Sequence, residues 1–78
     1  MVKMLIEYIV KQLVDKPESV AVTTTDELDR QVVTVTVAEK DRGKVIGKDG
    51  QTVRALRTLA TVAARSSGKE IVVDIASL

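Results

Sequence analysis

The chain has 78 residues, no cysteine and no histidine, so it is read as one domain, residues 1–78, without disulfide staples, thiolate metal sites or the usual neutral-pH general base. No cofactor or metal is expected, and stability must come from an aliphatic core, which a 45% hydrophobic content can supply. Net charge is +1, which excludes a generally polybasic or acidic protein, and Tyr8 is the single aromatic residue.

Residues 2–14 predict a helix. Met4 or Leu5, Tyr8 or Ile9, and Leu13 recur at helical spacing, with Lys3, Glu7 and Lys11 between them. Asp15, Lys16 and Pro17 should end it, because the residue before a proline is pushed out of the α region. The helix is apolar on more than one side, and a small sheet covers only one, so part of this surface is a candidate for contact with another protein. The three charges also break the segment as a secretory signal, and no apolar run reaches the roughly 20 residues of a membrane helix, so a soluble, cytoplasmic protein without membrane contact is expected.

Ser19–Thr24, "SVAVTT", predicts a short strand, followed by the polar connection "TDELDR". Its carboxylates Asp26, Glu27 and Asp29 lack the calcium-loop spacing and the distal bidentate glutamate, and read as a solvated hairpin loop. "QVVTVTVAE" alternates cleanly, with Val33, Val35 and Val37 on one face and Thr34 and Thr36 on the other; β-branched residues at period two predict a strand. "KDRGKVI" reads as about one helical turn ending at Gly47. After Gly50, "QTVRALRTLATVAARSS" predicts a long helix with Val53, Leu56, Leu59 or Ala60, and Ala63 on its apolar side, stopping near Gly68. "EIVVDIA" closes the chain as a strand with Ile71, Val73 and Ile75 inward.

The order is therefore α-β-β-α-α-β. The first two strands should pair antiparallel. The last two are joined by a helical crossover and should be parallel, with a right-handed connection. The expected fold class is α+β: a two-layer sandwich of a three-stranded mixed sheet with its helices on one face.

Charge is unevenly placed. Lys40, Arg42, Lys44, Lys48, Arg54 and Arg57 face only Asp41 and Asp49 between positions 40 and 57, giving that window +4 and leaving −3 for the other residues (+1 minus +4). In its middle lies "VIGKDG", a Gly-x-x-Gly elbow between a short and a long helix. Two glycines so spaced would also serve a plain helix–helix turn. A nucleotide-binding Walker loop does not fit: Gly43 to Gly47 is one residue short, and Lys48 is followed by Asp49 rather than Ser or Thr.

The elbow, the Val-Ile before it, the basic cluster and the element order together resemble the K-homology (KH) RNA-binding domain in its type II form. The likeness covers essentially the whole chain and is greatest to the small bacterial single-domain proteins of the KhpA type. It implies a type II KH fold and a single-stranded RNA partner. In the family, the loop clamps the backbone of about four unpaired nucleotides while the bases lie in an apolar groove.

Carried onto this sequence, Gly47, Lys48, Asp49 and Gly50 would be the phosphate clamp, flanked by Arg42, Lys44 and Arg54. Val45 and Ile46 would line the groove, Gln51, Val53 and Arg54 would edge it, and the strand edge near Val35 to Val37 would form its far wall. Ser66–Lys69 would be the short variable loop. Physically, a position without a side chain lets a sugar–phosphate strand approach the main chain, and a helix beginning at Gly50 turns its free N–H groups and positive dipole end toward the elbow. Asp49 partly offsets Lys48, so clamping would lean on backbone N–H groups.

With no nucleophile–base pair in the sequence, an enzyme is not expected. Two function classes remain: an RNA-binding module acting on transcripts or as an RNA chaperone, and an interaction adaptor on a KH scaffold. The second would homodimerise, or pair with another KH protein, through Leu59 and Val62 on the long helix.

Overall fold

The computed structural model describes residues 2–65 and 68–78. Helix α1 spans Val2–Leu13, strands β1 and β2 span Ala21–Asp26 and Arg30–Val37, helices α2 and α3 span Arg42–Ile46 and Gln51–Ala63, and β3 spans Glu70–Ser77. β1 pairs antiparallel with β2, and β2 pairs parallel with β3, in the order β1-β2-β3. α1 packs over β1, and α2 and α3 pack over β3. This is the expected α+β sandwich with a mixed sheet, consistent with the type II KH fold.

β2 sits in the middle because its inward row can be buried from both sides. Val33, Val35 and Val37 are wholly inaccessible. Val22 of β1 lies opposite Val35, and Val73 and Ile75 of β3 lie opposite Val33 and Val35, so the core continues across all three strands. Burying a Val or Ile side chain contributes about 1.5–3 kcal/mol, and a chain with almost no aromatic residues relies on this row.

Two boundaries differ from the sequence reading, each for a local reason. β1 lies two residues later than the expected Ser19–Thr24, since a 3₁₀ turn with Pro17 at its start takes up Pro17–Ser19 and the ladder runs on to Asp26 opposite Gln31. α3 stops at Ala63, short of the run toward Gly68.

The buried face of α1 also differs. Ile6 and Val10 point into the core, whereas Met4 and Tyr8 are 73% and 66% exposed. The helix offers apolar residues around much of its circumference, and β1 selects the side with compact β-branched residues one turn apart. Its end is likewise tertiary: it stops at Leu13, and the backbone N–H groups of Asp15 and Lys16 donate to the carboxylate of Asp41 instead of continuing the helix.

The hairpin between β1 and β2 uses its acids internally. Glu27 accepts from Arg30 Nε at 2.7 Å, Asp26 accepts from Gln31 Nε2 at 3.0 Å, and Lys69 Nζ lies 3.7 Å from Asp26.

Candidate nucleic-acid interface

The elbow is built by three backbone conformations that side chains resist. Gly47 ends α2 with φ 78°, Asp49 is left-handed at φ 56°, and Gly50 caps α3 at φ 73°. The Gly47 N–H donates to the carbonyl of Gly43 at 2.8 Å, closing α2, and the Gly50 N–H donates to the carbonyl of Gly47 at 3.1 Å, closing the turn. An aspartate is among the few side-chain-bearing residues that enter the left-handed region readily.

The two glycines have different reasons to be glycine. A β-carbon on Gly50 would meet only Val53 Cγ1 at 4.0 Å, so its requirement is conformational. One on Gly47 would lie 2.2 Å from the Thr52 hydroxyl oxygen, inside the first turn of α3. Open main chain is expected at both positions; at Gly47 the vacated space is also filled from within the protein, by Thr52.

No side chain caps the start of α3. The Gln51 N–H donates to the Lys48 carbonyl of the preceding turn, and the positive end of the helix dipole lies at the same place. Lys48 within the elbow, Arg54 one turn into α3 and Arg42 at the far end of α2 are all exposed, and among the described residues none of the three is in an ion pair. Lys40 and Arg57 are exposed as well. Asp49 is exposed at the tip and offsets part of this charge.

Lys44 is placed differently from the other cations. Its ammonium forms an ion pair with Asp15 and lies 3.9 Å from Asp41 Oδ1. The hydrogen bond with Lys44 holds the Asp15 carboxyl below its ordinary value, and the same bond raises the Lys44 ammonium above its own. A phosphate would have to compete with two carboxylates for this lysine.

The expected groove walls need correction. Val45 has no accessible surface: it belongs to the core and anchors α2 rather than lining a groove. Val35 and Val37 are also fully buried, and β2 is the central strand, so it offers no edge; the free edge on this side of the sheet belongs to β3. Ile46 and Val53 are partly buried beside the elbow, and Gln51 is exposed. Of the expected variable loop, Ser66 and Ser67 lie outside the described residues.

An open groove of about 580 Å³ runs along the outside of α3, lined by Gln51, Arg54, Ala55, Thr58 and Leu59. These residues recur three and four apart, so they share one helix face. Ala55 and Thr58 are not among the expected site residues, although helical spacing from Gln51 and Arg54 is a signal for both. The Thr58 hydroxyl donates back to the Arg54 carbonyl at 3.1 Å. The groove links the basic elbow to Leu59, which with Val62 is exposed at 43% and 58%.

The family model described as KhpA/KhpB, KH domain matches residues 3–75. The chain is 42% identical over 73 residues to the RNA-binding protein KhpA of Clostridium perfringens (strain 13 / Type A), covering 94% of this chain and 97% of that protein. It is 46% identical over 68 residues to the RNA-binding protein KhpA of Chlamydia trachomatis serovar D, covering 86% of this chain and 87% of that protein. Among solved structures it resembles Era in complex with MgGDPNP and nucleotides 1506-1542 of 16S ribosomal RNA, with a TM-score of 0.63 at 17% identity. That match covers 97% of this chain and 29% of the Era chain, and bears on fold alone.

Proposed function

The chain belongs to the KhpA/KhpB KH-domain family, and from that premise we propose that it binds single-stranded RNA by seating the sugar–phosphate backbone on the Gly47–Gly50 elbow. The family is one of binding modules and not of enzymes. The observation that carries the proposal is the start of α3: a helix end without a side-chain cap, reached through two positive-φ glycines, with unpaired Lys48 and Arg54 beside it in the chain. Such an end is suited to a phosphate, because N–H groups, dipole and cations all favour the same charge.

Within this reading Gly47, Lys48, Asp49 and Gly50 contact phosphates through the main chain, Lys48 and Arg42 add charge, and Gln51, Arg54, Ile46 and Val53 edge the path of the bases. Lys44 and Val45 act indirectly, one through its acid partners and the other through the core. With no aromatic platform near the elbow, bases are held by aliphatic contact and hydrogen bonds, which gives modest affinity. Such a module suits an RNA chaperone or a post-transcriptional regulator in the cytoplasm. The test is a titration of fluorescent single-stranded RNA over a salt series. The logarithm of affinity should fall against the logarithm of salt with a slope of roughly −0.7 per phosphate contacted, whereas a flat response would remove the backbone clamp.

A second reading, an interaction adaptor, is favoured by the exposure of Leu59 and Val62 on α3. Paired through that face, two copies, or this chain and another KH protein, would cover apolar surface that the monomer leaves in water.

A further inference from the structure

Asp41 is the one buried charged or polar residue among those described, with no accessible surface. It occupies the N-cap position of α2, where an aspartate ordinarily accepts N–H groups of its own helix. Here it makes no such cap. Its two oxygens reach across the fold: Oδ1 accepts the Asp15 N–H at 3.1 Å and Oδ2 accepts the Lys16 N–H at 3.0 Å. Lys44, further along α2, adds a second link to the same segment through Asp15.

α2 has five residues and one fully buried side chain, Val45. A helix that short has almost no stability of its own, since the cost of forming its first turn is not recovered. Its direction must come from what it is fastened to. The Asp41 carboxylate fastens its root to the exit of α1, and Gly47 leaves from its other end.

We propose that Asp41 is a positioning residue for the phosphate elbow: it touches no RNA, but by fastening α2 to the α1 exit it sets where Gly47–Gly50 is presented. The inference rests on the RNA-binding reading above for its functional consequence, and on geometry alone for its structural one. It also explains why an aspartate stands at position 41 inside a window of net positive charge. Its charge is enclosed and held by two main-chain N–H groups, so it takes little from the field outside.

The test uses Asp41→Asn in the full chain. The substitution keeps the shape but turns one acceptor into an N–H donor facing another N–H. Two readouts are taken well below the melting temperature: affinity for a short single-stranded RNA, and amide hydrogen exchange without RNA. Expected are a loss of affinity of about three- to tenfold and faster exchange at Gly47, Gly50 and Gln51, whose N–H groups close the elbow, while amides of β2 stay protected. Unchanged affinity and unchanged elbow exchange in a folded variant with a lowered melting temperature would make Asp41 a purely structural residue and overturn the proposal. Asp41→Ser, which keeps an uncharged oxygen acceptor, is read in the same way. If neither variant folds, Asp41 is a determinant of the fold and the positioning role falls. If the unmodified chain binds no RNA, it is the functional reading that fails, and the exchange measurement still decides whether Asp41 orders the elbow.

Discussion

Gly47 presses so closely on Thr52 that a β-carbon there would lie 2.8 Å from the Thr52 backbone nitrogen. A clash with main chain cannot be relieved by a rotamer change. Gly47→Ala must therefore push the first turn of α3 away from the elbow, besides adopting an unfavourable φ. A cost of about 2–4 kcal/mol is expected. Gly50→Ala, with open space around it, should cost only the left-handed backbone penalty of about 1–2 kcal/mol. Urea unfolding of the two variants checks this, and equal midpoints would mean that the Gly47–Thr52 contact does not exist in solution.

Lys48 is exposed and unpaired. Lys48→Asp should leave the circular dichroism spectrum unchanged and move stability by less than about 0.5 kcal/mol. It should abolish binding of short single-stranded RNA, because it reverses a charge at the tip of the clamp. RNA affinity surviving the reversal would place the contact elsewhere on the protein.

Asp49 opposes the same clamp. Asp49→Asn removes its negative charge while keeping a residue that tolerates the left-handed backbone at φ 56°. Affinity for RNA should rise, by an increment that shrinks with added salt, as interactions between exposed charges do. An unchanged or lowered affinity in a salt-series titration would show that phosphates do not pass this side chain.

The Asp15–Lys44 pair predicts the direction of two pH effects. The Asp15 carboxyl is lowered in the folded state from 3.8, chiefly by its hydrogen bond with Lys44. Its contribution is therefore present above 3.8 and disappears as pH falls through the lower folded value. The Lys44 ammonium is raised from 10.5, again chiefly by that bond, so its contribution is present below 10.5 and disappears as pH rises through the raised value. Both groups are exposed and screened, so the effect is small. Urea midpoints of Asp15→Asn and the unmodified chain should converge at the acid and alkaline extremes and separate between them. Parallel curves would mean the pair is not formed in solution.

Leu59 and Val62 test the adaptor reading. Leu59→Glu or Val62→Glu should weaken self-association, or association with another KH protein, in sedimentation velocity, while the salt-dependent RNA contact at the elbow persists. A chain that is monomeric before substitution would rule out the homodimer and leave pairing with another KH protein as the only form of the adaptor reading.

Local pattern carried much of this protein. The alternation of Val33, Val35 and Val37 determined the central strand, the 3.6-residue rhythm after Gly50 determined α3, and Gly47 and Gly50 among lysines and arginines marked the elbow, because each of these signals lies within a few neighbouring residues. What only the tertiary structure decided lies across longer separations. The sheet chose Ile6 and Val10 over Met4 and Tyr8. Thr52 claimed the space beside Gly47. Asp15 drew Lys44 out of the free cations, and Asp41 turned from capping its own helix to hold residues 25 and 26 positions earlier. Side-chain pattern sets what a segment can become; which of several permitted faces and partners it takes depends on the energy of packing against segments that the local sequence does not contain.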